Sequence, residues 1–528
     1  MKKTAILLAV AACSAWMASA EWGQAPNGEF WNGDAKRFIY APAFGFPKVN
    51  GAVRYRYDVT DDFHKLWTFR ADTPNAGLDG IWAKLPVGYV TLVCTGEAAD
   101  GKSVGEAGRR TFWKKSPFTG SYPPAKRSFA LARNMVLDYF FDLPQTRYLA
   151  EHGAPDPSYP LNGYPTKMLS ASISAFTTYA KTLSKGGERD AVLETARKAA
   201  DYLIAGAVPA DQPLAHFTRT YAEQGSEYGR FKGEQNTIML VYPATAGDAF
   251  LGLHALTGDA KYLAAAERIA ETYLRLQGED GTWWLKQDAV TGKEKGPNRL
   301  LPIRVIEFLE RLHSVVKKEA YRAAADRAFE YIEKGPMTDW NWEGQFEDIK
   351  PDHRRWSNLS KHPACSTAMY LVKRFPGDAR RLAQAEALLK FSEDQFVEWT
   401  PPYDNGRAHD DPHRPDDGSW RFFCKPYSKW VTPCALEQYR CYMPIDASAV
   451  KFINTYLALW RATKKPEYLA KARALGATAT RMQEDDGFIC TWWVDKVRRN
   501  DHRYHTWINC LLSNAAALDN LARAENEQ

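Results

Sequence analysis

The sequence predicts a mainly α protein, an (α/α)6 toroid preceded by a small N-terminal β-sandwich domain. Three observations predict it. The first is an internal repeat. Residues 257–284 read TGDAKYLAAAERIAETYLRLQGEDGTWW and residues 463–493 read TKKPEYLAKARALGATATRMQEDDGFICTWW. Each unit opens on Tyr-Leu-Ala, runs small residues through a helix, and closes on Gln, acidic residues, Gly and Thr-Trp-Trp. A repeat of this kind means stacked helical hairpins. The second observation is that twelve helical stretches alternate between an Ala/Leu/Arg/Glu-rich outer type and an apolar inner type. The third is that the loops joining them are unequal, short on one side and long on the other. A straight superhelical solenoid of the same hairpins is the alternative.

The chain has 528 residues. Lys2 and Lys3 precede an apolar run from Ala5 to Ala12, and Ala18-Ser19-Ala20 is a small-x-small cleavage site. Residues 1–20 therefore read as a secretory signal peptide cut after Ala20, too short to span a bilayer. Val10-Ala11-Ala12-Cys13 also resembles a lipoprotein box that would anchor the protein through Cys13. The apolar stretch before it is short, which favours cleavage and a secreted or periplasmic protein. No other segment is apolar enough to cross a membrane.

Residues 21–122 read as β structure. Arg54–Val59, Lys65–Arg70 and Gly88–Cys94 gather β-formers between turn residues. A sandwich of the immunoglobulin or fibronectin type fits, and the Pro-rich stretch 116–124 links it to the toroid of residues 123–528. Outer helices open near Glu188, Lys261, Glu319, Ala379 and Glu467, with Arg127–Tyr148 supplying a sixth. Inner helices are expected near 167–183, 242–256, 301–315, 367–375, 446–461 and 508–522. Residues on several of their faces are apolar or small, as in helices buried all round.

Composition narrows the function. The formal charge of +6 falls to about +4 without Lys2 and Lys3, and no basic run exists, which excludes nucleic acid as a partner. Of the 8 cysteines, seven follow the leader, with no zinc spacing. Cys424, Cys434 and Cys441 are candidates for a disulfide or for buried thiols. Aromatic residues reach 13%, including 18 Trp and 26 Tyr. Those placed in polar loops are of the kind that stack on sugar rings. The tight inner-to-outer turns are Thr257–Asp259, Lys317-Lys318, Pro376–Asp378 and Thr463–Pro466. The outer-to-inner loops are long, and long loops in a compact domain are usually functional. They all feed the N-termini of inner helices, so in a closed toroid they converge on one mouth, where helix dipoles suit an anion.

Trp340–Asp348, WNWEGQFED, is the sharpest motif. Extended, it would put Glu343, Gln345 and Glu347 on one face and Trp340, Trp342 and Phe346 on the other. A carboxylate beside indoles loses hydration and becomes a general acid. Glu343 is preferred over Glu347 because Trp342 and a flexible Gly344 flank it. The bland reading is a Trp-anchored loop with solvated carboxylates. Glu437 lies in TPCALEQYRCYMPID with Tyr439 and Tyr442, which are also placed to reach the mouth; Asp446 reads as a helix N-cap. His362, in Ser360–Pro363 just before the fourth inner helix, is a general base or a carboxylate binder. Lys361 and Arg304 are partners for an acidic ligand, and Trp507, ahead of the last inner helix, is an aromatic one. A surface loop histidine is the plain alternative for His362, and solvated charge for Lys361 and Arg304. His409, His413, Asp416 and Asp417 look like a metal cluster, but their spacing fits no helical zinc motif. No metal and no other cofactor is expected.

The phrases NWEGQFED, TPCALEQYRCY with PIDASA, and YPTKMLSASISAF resemble exported bacterial six-hairpin glycosidase-like proteins, and most of all glycoside hydrolase family 154. The D-glucuronyl C5-epimerase helical domain is related in fold. The resemblance spans most of the chain after the leader. It implies a β-glucuronidase-like enzyme that removes a terminal uronic acid from a uronate-containing glycan. Glu343 would protonate the leaving oxygen and Glu437 would activate water or attack. A lyase or uronyl epimerase using Tyr439, Tyr442 or His362 is the alternative within enzymes, and a non-catalytic glycan binder is the alternative outside them. The linkage and the oligomeric state stay open.

Overall fold

The computed structural model describes residue 35 and residues 37–183, 186–222, 233–347, 358–401, 430–439, 441–494 and 507–527. The His409–Asp417 cluster and Cys424 lie outside them. Strands come first. A five-stranded sheet has the order β1 (Arg37–Phe38), β7 (Ser103–Lys114), β6 (Gly88–Glu97), β3 (Arg54–Asp61), β4 (Leu66–Ala71). All its pairs are antiparallel except β1 with β7. The ribbon of β2 (Ala43–Gly45) and β5 (Asn75–Gly77) brings Phe44 against Phe38 and Phe112. Alternation along β3, with Tyr55, Tyr57, Val59 and Asp61 buried and their neighbours not, aims one face at this core.

Among the described residues, twelve long helices follow a four-residue helix α1 (Asp79–Trp82). The outer ones are α2 (Phe129–Asp142), α5 (Gly187–Ala205), α7 (Ala260–Leu276), α9 (Glu319–Lys334), α12 (Ala379–Phe396) and α14 (Pro466–Met482). The inner ones are α4 (Pro165–Thr182), α6 (Tyr242–Thr257), α8 (Ile303–Val316), α11 (Lys361–Arg374), α13 (Asp446–Thr463) and α15 (Ile508–Asn526). Two short helices, α3 (Pro144–His152) and α10 (Pro336–Asp339), lie between them. Each inner helix packs on the next and α15 returns to α4, while α15 pairs with α2 as the sixth hairpin. The ring is closed, so the solenoid is excluded. Among the described residues no helix is long and apolar enough to cross a membrane.

Local chemistry explains the turns. Asp259 and Asp378 cap α7 and α12 by accepting backbone N–H groups. The chain leaves α6, α8 and α13 through left-handed residues at Gly258, Lys317 and Lys464. Two of these are lysines, which carry a Cβ penalty that glycine does not.

The repeated motif has a specific task. Gln277 Nε2 donates to Gly281 O at 2.7 Å and to Ala324 O of the next outer helix, α9, at 2.8 Å. Gln483 Nε2 does the same toward Gly487 O, at 3.3 Å, and Ala132 O of α2, at 2.8 Å. Gly281 (φ +86°) and Gly487 (φ +99°) press on the same two helices: a Cβ would stand 2.4 Å from Arg327 O and 2.0 Å from Met135 O. The repeat thus fastens the end of α7 to α9 and the end of α14 to α2. Trp283 and Trp493 of the Thr-Trp-Trp ends are fully buried packing residues, and Trp284 lies beneath the Arg299 guanidinium at 4.4 Å.

Two sequence expectations are corrected. The fourth inner helix begins at Lys361 rather than near Thr367. Ser360 accepts His362 N–H as its cap, and Pro363 fits the first turn because its missing N–H has no helical partner there. Asp446 is the first residue of α13, whose cap is Ile445, and its carboxylate has other partners.

Candidate active site at the mouth of the toroid

Four inner helices each place a cation within their first two turns: Lys167 on α4, Arg304 on α8, Lys361 on α11 and Lys451 on α13. All four lie close enough to His362 to oppose its protonation. Desolvation comes first and these charges next, and together they hold the imidazole well below its usual range. His362 is therefore neutral at pH 7. Phe346 meets its ring edge-on at 5.5 Å.

The cations differ in their partners. Lys361 is fully buried and its Nζ donates to Glu437 O at 2.5 Å. Lys451 Nζ donates to Ser366 Oγ at 2.9 Å. Burial, then the nearby Arg304, pushes the Lys451 ammonium down to about 8. Arg304 pairs with Glu307 at 3.6 Å. Glu307 keeps 32% of its side-chain surface accessible, yet desolvation raises its carboxyl. Lys167 stands over the Trp507 ring at 4.2 Å and pairs with Glu347; Trp507 in turn stacks on Tyr164 at 5.9 Å.

The acidic residues occupy three settings. Glu347 is buried and takes the Lys167 ammonium and the Tyr242 hydroxyl, while its carbonyl accepts from Tyr221 at 3.0 Å. Glu343 is half-buried and accepts Asn298 Nδ2 at 3.1 Å. Gln345 spans from Arg299 O to Leu301 N at the head of α8. Glu437 is half-buried on β11 (Cys434–Gln438). It lies near Asp446, whose carboxyl is raised well above its ordinary range, first by burial. Asp446 accepts Asn514 Nδ2 at 2.8 Å.

A small sheet ties these together. Glu343 bridges Leu359, Ser360 bridges Gln438, and a Cβ on Gly344 would stand 2.4 Å from Gln438 Oε1. The segments bearing Glu343 and Glu437 therefore flank the strand that leads into Lys361 and His362. The extended alternation expected for 340–348 does not hold. Trp342 N–H donates to Trp340 O, and Trp340 is left-handed, so the chain coils there. Trp342 enters the core, Trp340 packs on Phe391 of α12, and Phe346 turns to His362. Tyr439 and Tyr442 are buried, with hydroxyls donating to Gln395 Oε1 at 2.5 Å and Gln395 O at 2.6 Å.

Sequence reasoning missed Lys451, Lys167, Glu307 and Gln395. A signal existed for Lys451, a lone cation in the apolar run of α13, and for the i, i+3 pair of Arg304 and Glu307. None existed for Gln395.

No family model and no curated protein matches the chain. Among solved structures, it is similar to cellobiose 2-epimerase from Spirochaeta thermophila DSM 6192, with a TM-score of 0.51 and 14% identity over 76% of this chain and 98% of that one. It is similar to a D-mannose isomerase at a TM-score of 0.51 and 13% identity, over 76% and 100%. A family 76 glycoside hydrolase from a bovine Bacteroides thetaiotaomicron strain aligns at 0.49 and 13%, over 93% and 97%. The first two likenesses show the (α/α)6 toroid fold.

Proposed function

We propose that this protein is a carbohydrate-active enzyme that binds a uronic acid residue of a glycan at the mouth of the toroid and hydrolyses its glycosidic bond. One observation carries the reading: four cations from four inner helices converge around a neutral His362, at helix ends whose dipoles are also positive. Such a site binds a carboxylate. Trp507, stacked on Tyr164 beneath Lys167, offers an aromatic face beside it. The toroid is shared with a sugar epimerase and a sugar isomerase. Activity of the glycoside hydrolase family 154 kind, removal of terminal β-linked glucuronate, is the finer form of this proposal.

Glu343 and Glu437 are the proposed carboxylate pair. The Asn298 amide donated to Glu343 favours its charged form. That exchanges the roles expected from sequence: Glu343 becomes base or nucleophile and Glu437 the acid. A dinitrophenyl β-glucuronide separates the two. Its leaving group needs no proton, so Glu437→Gln still releases dinitrophenolate from it in a first turnover while losing unactivated substrates, whereas Glu343→Ala loses both. Equal loss in both variants on both substrates overturns the assignment. No turnover of uronides by the wild type overturns the hydrolase.

His362 favours a second reading. A bound carboxylate would offset the cations that oppose protonation of His362, and the imidazole would then be the base that takes the proton α to that carboxylate, leading to a lyase or epimerase. Absorbance rising at about 235 nm on uronate-rich polysaccharide, with no free glucuronate, would select elimination.

A further inference from the structure

The N-terminal strands touch the toroid through an unusually polar, buried seam. Ile39 and Tyr40, just beyond β1, donate their backbone N–H groups to Asp394 Oδ1 of α12 at 2.7 and 2.9 Å. Lys115, at the end of β7, is buried and pairs with Glu398 at 3.0 Å. Glu398 belongs to β10 (Val397–Glu398), which pairs with β11 through Glu398 opposite Cys434 and Val397 opposite Ala435. Between these sits Gln395, fully buried. Its Nε2 donates to Arg37 O of β1 at 2.9 Å, its Oε1 accepts Tyr439, and its carbonyl accepts Tyr442. The Arg37 guanidinium lies 3.7 Å over the Tyr442 ring. Tyr442 is on β12 (Cys441–Pro444), the partner of β11.

We infer that the β domain is part of the catalytic apparatus, with Gln395 the positioning residue through which strand β1 sets the β11–β12 hairpin and hence Glu437. The hairpin holds the Glu437 carbonyl on which Lys361 docks, so one displacement moves an acid and a cation together. Gln395 touches no substrate. It acts because both of its side-chain atoms are committed, one to each domain, in a site from which water is excluded.

The inference rests on the proposed function only for its kinetic readout. Hydrogen exchange on the full chain tests it independently. Gln395→Met keeps the volume and removes both side-chain bonds; Tyr439→Phe is a milder variant that removes one. Both speed amide exchange in 434–439 and 441–444, Gln395→Met by about tenfold, and leave α4 and α6 unchanged. Val59→Ala, in the β core and away from the seam, lowers the melting temperature without that local effect. On a uronide that the wild type turns over, Gln395→Met lowers kcat more than it raises KM. Hairpin exchange unchanged in both seam variants, or accelerated equally in Val59→Ala, overturns the inference. If no uronide is turned over, the proposed function falls while the exchange data still decide this point.

Discussion

Removing the Lys451 charge tests the anion site most directly. Lys451→Met keeps the length and the apolar stem that α13 buries. An ammonium about 4 Å from a carboxylate at an effective dielectric of about 20 is worth roughly 4 kcal/mol. Arg304 and Glu307 already polarise the site, so the net loss is nearer that of one charged hydrogen bond, about 1.5–3 kcal/mol. Affinity for D-glucuronate should fall roughly 10- to 150-fold. Affinity for glucose should not change. pH supplies a second axis. The ammonium is lowered to about 8 in the fold from 10.5. Wild-type binding therefore weakens as pH rises through about 8, and in the variant that step is gone. Between those two values the unfolded chain holds the extra proton, so raising pH stabilises the fold while it weakens binding. Opposite trends separate lost affinity from unfolding. His362, neutral across this range, adds no step. Calorimetric titrations at about pH 7 and about pH 9.5, with thermal melts at both, provide the measurement. Equal glucuronate affinity in wild type and variant, or a wild type indifferent to pH, refutes the reasoning.

Two further outcomes concern the scaffold. Gly487→Ala and Gly281→Ala each force a Cβ onto a backbone carbonyl from a left-handed conformation. Each should cost about 3 kcal/mol in urea unfolding; losses under about 1 kcal/mol would show that the turn is not clamped to the next helix. Lys317→Gly and Lys464→Gly relieve left-handed φ values of 59° and keep the closing hydrogen bonds to His313 O and Trp460 O. Each should raise stability by up to about 1 kcal/mol, seen as a higher melting temperature.

Much of the fold was legible because it is periodic. The outer openings at Glu188, Lys261, Glu319, Ala379 and Glu467 fall at or within one residue of the observed helix starts. Propensity and the Asp and Gly turn signals act within a few residues of chain, so they survive in the string. The fourth inner helix reads as starting late because His362 and Pro363 look like loop residues. In a first turn neither is unfavourable. The site was less legible. WNWEGQFED reads as an alternating strand, yet Trp340 takes a left-handed turn that no periodicity announces, and Phe346 goes to His362 instead of following Trp342. Tyr439 and Tyr442 read as mouth residues because sequence records that they carry hydroxyls and not that Gln395 takes both.

By itself the sequence determined the alternation of outer and inner helices, the short and long loops, and so the end toward which the long loops run. These follow from local capping and from which faces are apolar. Tertiary structure decided what the repeat is for and where the charges meet. Gln277 and Gln483 matter through carbonyls of helices 47 residues onward and 351 residues back. Lys167, Arg304, Lys361 and Lys451 are far apart in the chain; stacking of successive inner helices gathers the last three, and closure of the ring through α15 and α4 adds Lys167. Charge acts through space with the reach of Coulomb's law, whereas the string records only separation along the backbone.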